Sequence, residues 1–277
     1  MPPTQSLPTK AVIVGIDASG PAHSALLWAA REAASRGLPL VVCHAYAPTD
    51  GEPGWEAAGS ARNRAWRVAA DGARAAILAS PGGEAYAHAA PGPIQYVLRT
   101  AVTDPEVFVL GCHRRQESRQ QVADLMLKSF EISGVARPVV LVQGQGQPRG
   151  RQRRGRLPVV LAVDGSSAVR SALPFALAAA AIRRTQVVVL PVAGKDSAAI
   201  GNALAGFERL ARSRPGVPVI LLDELPIGGP TARLIRAADH AGLLVAPTAQ
   251  GRLLGSKLAQ FALGRARCPI ALVPRRR

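Results

Sequence analysis

The hydrophobic pattern of this chain switches between two regimes. Short, continuous apolar runs alternate with longer stretches in which apolar residues recur three and four apart. "AVIVGI" from Ala11, "LPLVVCHAY" from Leu38, "EAYAHAA" from Glu84, "EVFVLG" ending at Gly111 and "PVVLVQ" from Pro138 are runs of the first kind. Unbroken apolar runs of that length suit strands covered on both faces, as in a parallel sheet. Between them lie helical patterns: "ALLWAAREAASRG", closed by Gly37, then "WEAAGSARNRAWRVAADGARAAILAS", "PIQYVLRTAV" and "RQQVADLMLKSFEIS". The "DASGPAHS" stretch carries helix-start chemistry, with Asp or Ser able to cap and Pro21 tolerated in the first turn. The order is β-α-β-α-β-α-β-α-β. It predicts an open parallel sheet of five strands with helices on both faces, and right-handed crossovers place the ends of strands one and four side by side.

The pattern then repeats. Aligning Asp17 with Asp164, an offset of 147, pairs Val12 with Val159, Ile16 with Val163, Ser19 with Ser166 and Leu26 with Leu173. "GPIQYVLRTA" is matched by "GPTARLIRAA", "VFVLG" by "LLVAP", and "ARPVVLV" by "ARCPIALVP", in the same order. This reads as a tandem duplication. The second set of strands is "PVVLAV", "TQVVVLPV", "PVILLDE", "GLLVAP" and "PIALVP", with a shorter second helix around "AIGNALAGFERLARSR". The predicted organisation is a first domain over 8–143, a linker over 144–156 and a second domain over 157–277. The linker, "GQGQPRGRQRRGR", has no apolar periodicity.

Composition narrows the functional classes. Apolar residues make up 48% of the 277 residues and aromatics 4%, so the core is built from Ala, Val, Leu and Ile. No apolar run approaches the ~18–20 residues that span a bilayer, and "MPPTQSLPTK" lacks the pattern of a secretory signal. A cytoplasmic protein that does not engage the membrane is expected. Cys43, Cys112 and Cys268 are far apart, which argues against disulfides and zinc. Cys43 and Cys268 read as buried hydrophobes, and Cys112 stands beside a probable loop, where exposure and with it a redox role are open to it. The five histidines show no metal spacing, and His44 reads as a satisfied core group. Trp55 and Trp66, among Arg62, Arg64 and Arg67, fit core positions of a helix better than a base-stacking platform. The chain has no G-x-S-x-G elbow, no Walker A sequence and no HxGH motif, so no enzymatic activity is expected.

The net charge is +16. Eight of these charges fall outside any predicted core: Arg149, Arg151, Arg153, Arg154 and Arg156 in the linker, and Arg275, Arg276 and Arg277 at the end. They read as solvated segments, with contact to a nucleic acid or other polyanion as the alternative.

The openings "VIVGIDASGPAHSALLWAAREAASRGLPLVVCHAY" and "VVLAVDGSSAVRSALPFALAAA", with the endings "ARPVVLV" and "ARCPIALVP", resemble the universal stress protein family over both halves. The resemblance implies two Rossmann-like domains of the adenine-nucleotide alpha hydrolase type and a non-enzymatic role in stress physiology. It also implies pairing of domains, as an internal pseudo-dimer or a homodimer, and an unidentified protein partner. Many members bind ATP or AMP through a G-x2-G-x9-G-[ST] signature after strand four, an Asp after strand one and a main-chain position after strand two. Carried onto this chain, those positions are Asp17, Ala45 and Gly111 in the first half, and Asp164, Val192, Gly255 and Ser256 in the second. The signature is degenerate. Arg114 and Asp124 replace the later glycines of the first half, and Pro247 replaces the first glycine of the second. Proline has no N–H to offer a phosphate, whereas glycines and a helix N-terminus do.

Overall fold

A computed structural model describes residues 6–17, 19–47, 55–113, 122, 126, 136–144, 157–163, 169–191, 216–221, 230–249, 252–253 and 266–275. The chain divides into two compact units. One comprises Met1–His113 with Val139–Gln145, the other Arg114–Pro138 with Gly146–Arg277.

In the first unit the alternation of the sequence becomes β1 (Lys10–Gly15), α1 (Gly20–Arg36), β2 (Leu40–Tyr46), α2 (Trp55–Ala79), β3 (Ala85–Pro91), α3 (Ile94–Thr100), β4 (Asp104–Cys112) and β5 (Val139–Gln143). Its strands lie in the order β3-β2-β1-β4-β5, every pair parallel. Past their polar first residues the central strands are apolar, because both of their faces are covered there. Ala11, Val12, Ile13 and Val14 of β1 have no exposed surface, nor do Val107, Phe108 and Val109 of β4. Gly72 of α2 lies against Ile16, Val42 and Leu26 of α1, so α1 and α2 share one face of this sheet. Gly15 points the other way, against Leu110 and against Ile94 and Leu98 at α3.

α1 starts and stops where its sequence says. Ser19 is the N-cap, with extended backbone, and its Oγ accepts from the Ala22 N–H at 3.3 Å. Gly37 closes the helix at φ 63°, in the left-handed region that glycine enters without a Cβ clash. At the base of β1 and β4, Arg36 donates through Nε and Nη2 to Glu32 Oε1 at 2.8 and 2.6 Å, and through Nη1 to Glu106 at 3.2 Å. Lys10 adds a bridge to Glu106 at 3.3 Å.

The second unit contains β6 (Val159–Val163), α4 (Val169–Arg183), β7 (Val187–Pro191), β8 (Val219–Leu221), α5 (Pro230–Asp239), β9 (Leu243–Ala249), β10 (Arg252–Leu253) and β11 (Ile270–Pro274). Its parallel strands follow the path β8-β7-β6-β9-β11. That is the same course as the first unit, with first and fourth strands adjacent in both. The sheet expected to be purely parallel is mixed here. The two residues of β10 turn back antiparallel on β9, pairing Arg252 with Ala249 and Leu253 with Thr248. The helices expected over 119–133 and around 200–214 lie, apart from residues 122 and 126, outside the described residues.

Candidate functional site

In an open α/β sheet, ligands bind outside the carboxyl ends of the strands where the order reverses, here between β1 and β4. The backbone after β1 is firmly held. The Ile16 N–H donates to the Cys43 carbonyl at 2.9 Å, and the Ile16 carbonyl accepts from His44 Nδ1 at 2.8 Å. His44 is half-buried and satisfied, so its role is to fasten β2 to the exit of β1.

Asp17 follows. Its side chain is exposed, and its Oδ1 accepts from the Ser19 N–H at 3.1 Å. The carboxylate thus closes the turn ahead of the helix, while Ser19 does the capping. This helix N-terminus has little to give an anion. Pro21 lacks an N–H, and the Ala22 N–H is already used by Ser19.

Gly111 lies within β4, opposite Val142 of β5. A Cβ built on it would overlap the Pro21 carbonyl group and the Ala22 nitrogen. Gly144, just past β5, takes the Pro21 ring in the same way, with Pro21 Cγ at 2.6 Å from where its Cβ would be. The first turn of α1 therefore rests directly on the ends of β4 and β5, and the glycine expected to admit phosphate admits the protein's own backbone. Ala45 lies inside β2, opposite Ala90, one residue before the strand ends, instead of beyond it.

Cys112 is not exposed. It completes β4 at 2% accessibility, and its Sγ contacts the Val142 carbonyl at 3.6 Å. The strand runs one residue further than the apolar run, which draws Cys112 into the sheet. Cys43 and Cys268 are buried as expected, and burial pushes the Cys43 thiol far up from its ordinary range. His88, opposite Cys43 across β2 and β3, has a buried Nε2 without a hydrogen-bond partner, and its pKa is lowered by desolvation.

In the second unit Asp164, Val192, Gly255 and Ser256 lie outside the described residues, as do the linker arginines, Arg276 and Arg277. Arg275 is exposed. Pro247 is within β9, opposite Val273. Thr248 beside it is 1% exposed, with a hydroxyl that finds no partner. The β10 hairpin turns the chain back onto β9 within a few residues of Pro247, where a phosphate loop would have to spread. Nothing in the periodicity of "TAQGRLLGS" announces a two-residue strand.

Among the described residues no cluster of three or more His, Cys, Asp or Glu could hold a metal. No described helix is long and apolar enough to cross a membrane. A shallow pocket lined by Ala30, Ala33, Leu40, Ala76, Gly83 and Ala85 sits at the opposite end of the first sheet, away from the switch point.

A parallel α/β unit with strand order 3-2-1-4-5 is a Rossmann-like one. Residues 8–148 match the model of the universal stress protein family, and the chain belongs to that family. Two curated universal stress proteins of Mycobacterium tuberculosis, from strains CDC 1551 and H37Rv, are each 29% identical to it over 235 residues, 81% of this chain and 80% of theirs. The crystal structure of a universal stress protein from Archaeoglobus fulgidus has the same fold at a TM-score of 0.70 and 14% identity, covering 96% of this chain and 98% of that one. A functionally unknown protein from Pseudomonas aeruginosa PAO1 follows at a TM-score of 0.50 and 12% identity, covering 98% and 93% of the two chains.

Proposed function

We propose that this chain is a tandem universal stress protein, two copies of one five-stranded α/β domain over 8–143 and 157–277, acting in stress physiology by binding and not by catalysis. The first cleft is closed to nucleotide by the protein itself. The observation that carries this is the seat of Pro21 on Gly111 and Gly144, with Asp17 committed to the Ser19 amide. The replacement of the later signature glycines by Arg114 and Asp124 agrees with it. Any adenine nucleotide, ATP or AMP, is held by the second unit through Asp164, Val192, Gly255 and Ser256. The rest of the function rests on a macromolecular partner or a paired domain.

Protein purified without added nucleotide, then denatured and chromatographed, tests this reading. The expected content is no more than one adenine nucleotide per chain, absent from the Asp164→Ala variant. Two nucleotides per chain would refute it.

A second reading is favoured by charge. The five linker arginines and the terminal three form a basic pair of segments in a chain of net charge +16, suited to a polyanion such as RNA or the nucleoid. Replacing Arg149, Arg151, Arg153, Arg154 and Arg156 by Gln should then flatten the salt dependence of RNA binding. Unchanged binding dismisses this reading.

A further inference from the structure

α2 presents two faces of opposite character. Its inner face is alanine: Ala61, Ala65, Ala69, Ala73 and Ala76 are all buried. Its outer face carries Arg64, Arg67 and Arg74, all exposed. Their spacing of three and seven residues puts them on one side of a helix. Ser60 and Asp71 share that side. Arg64 Nη1 donates to Ser60 Oγ at 2.9 Å, and Arg74 Nη1 lies 3.2 Å from Asp71 Oδ1.

The charge on this face is unbalanced. Asp71 is the sole carboxylate among the described side chains of α2. No carboxylate pairs with Arg64 or Arg67 among the described residues. The Arg74–Asp71 pair is 73% and 68% exposed, and so solvated a pair yields readily to a competing anion. From Arg64 to Arg74 the helix advances ~15 Å, a length over which a nucleic-acid duplex presents roughly nine phosphate charges. Guanidinium forks match phosphate geometry. No aromatic ring is exposed among the described side chains of this helix, and Trp66 is half-buried. The face therefore lacks the stacking platform of a single-strand binder.

We propose that the outer face of α2 docks the phosphate backbone of double-stranded nucleic acid, without reading its bases. This docking belongs to a folded helix, and it depends neither on nucleotide in either unit nor on the arginine-rich segments.

The test is fluorescence anisotropy of the full chain with a DNA duplex of about 20 base pairs, titrated over about 50–200 mM salt. Five proteins are compared: the unaltered chain, the Arg64→Gln/Arg67→Gln/Arg74→Gln variant, its triple Lys equivalent, Arg67→Glu alone, and the variant with the five linker arginines changed to Gln. Each lost phosphate contact should lower the slope of log K against log salt by about 0.9, so the α2 variant should lose about 2–3. The equivalent triple Lys variant, which keeps the charge, should retain the slope. So should a duplex of scrambled sequence. Arg67→Glu alone, at a solvent-facing position, should lower the slope by about 1 or more, which gives a reading even if the triple change perturbs folding. An α2 variant with an unchanged slope overturns the inference, as does absence of duplex binding by the unaltered chain. Stronger binding to the single strand of equal length overturns the duplex assignment. A slope lost only in the linker variant overturns the α2 docking while leaving the second reading of function standing.

Discussion

A methyl group at position 111 has nowhere to go. It would meet the carbonyl of Pro21 and the nitrogen of Ala22, both backbone, and backbone cannot rotate away as a side chain does. Gly111→Ala is therefore expected to push α1 off the end of β4, destabilising the fold by about 1–3 kcal/mol. Urea unfolding should show a lower midpoint at unchanged slope. If the glycine were there for a ligand alone, the midpoint would not move.

His88 poses the opposite problem, a polar atom with no partner. Desolvation lowers its pKa below the free value of 6.5. The folded chain then binds fewer protons at this site than the unfolded chain. Stability should fall as pH drops below about 6.5 and level off once the folded form is protonated, with no effect from this residue above neutrality. His88→Phe should remove that part of the pH dependence, measured as the difference in unfolding midpoint between about pH 5 and pH 7.5. An unaltered profile would mean that the site is reached by water when it titrates.

At the scale of elements, the base of the first sheet is held by the Glu32–Arg36–Glu106–Lys10 chain. Arg36 and Glu32 are 8% and 3% exposed. Arg36→Ala would leave Glu32 buried without its cation and should cost about 3–5 kcal/mol. Asp71→Ala, which breaks an exposed pair on α2, should leave the unfolding midpoint nearly unmoved. Equal effects of the two changes would show that burial is not what gives the Arg36 pair its weight.

These elements differ in how far their sequence declares them. The central parallel strands were legible because their apolar runs are covered on both faces, which leaves a local signature in composition; β3 and β8, at the sheet edges, are half-buried or exposed and were legible from their place in the alternation. Gly37 and Ser19 were legible because turn and cap chemistry is local. Cys112 was not, since its burial depends on pairing with β5, whose place is set through the rest of the fold. β10 was not, since two residues carry no period. The candidate site was legible only as a set of positions. That Gly111 receives Pro21 is a contact between residues ninety apart, and no spacing rule reports it. The stripe on α2 was half visible: the helix and the cluster of Arg64 and Arg67 stand in the sequence, while the exposure of Arg74 on their side, opposite the buried alanines, is set by how the helix packs.

For the whole molecule, the central claim is that the first unit of this universal stress protein keeps the family's scaffold and has lost its nucleotide grip. The two units trace the same strand path, so a nucleotide bound anywhere in the chain must be assigned to one of them before it bears on that claim. Isothermal titration of ATP into the full chain carrying Asp164→Ala does this, because the change removes the contact proposed for the second unit and leaves the first unaltered. The account predicts no heat of binding at micromolar ATP. Micromolar binding by that variant, abolished on adding Asp17→Ala, would contradict it.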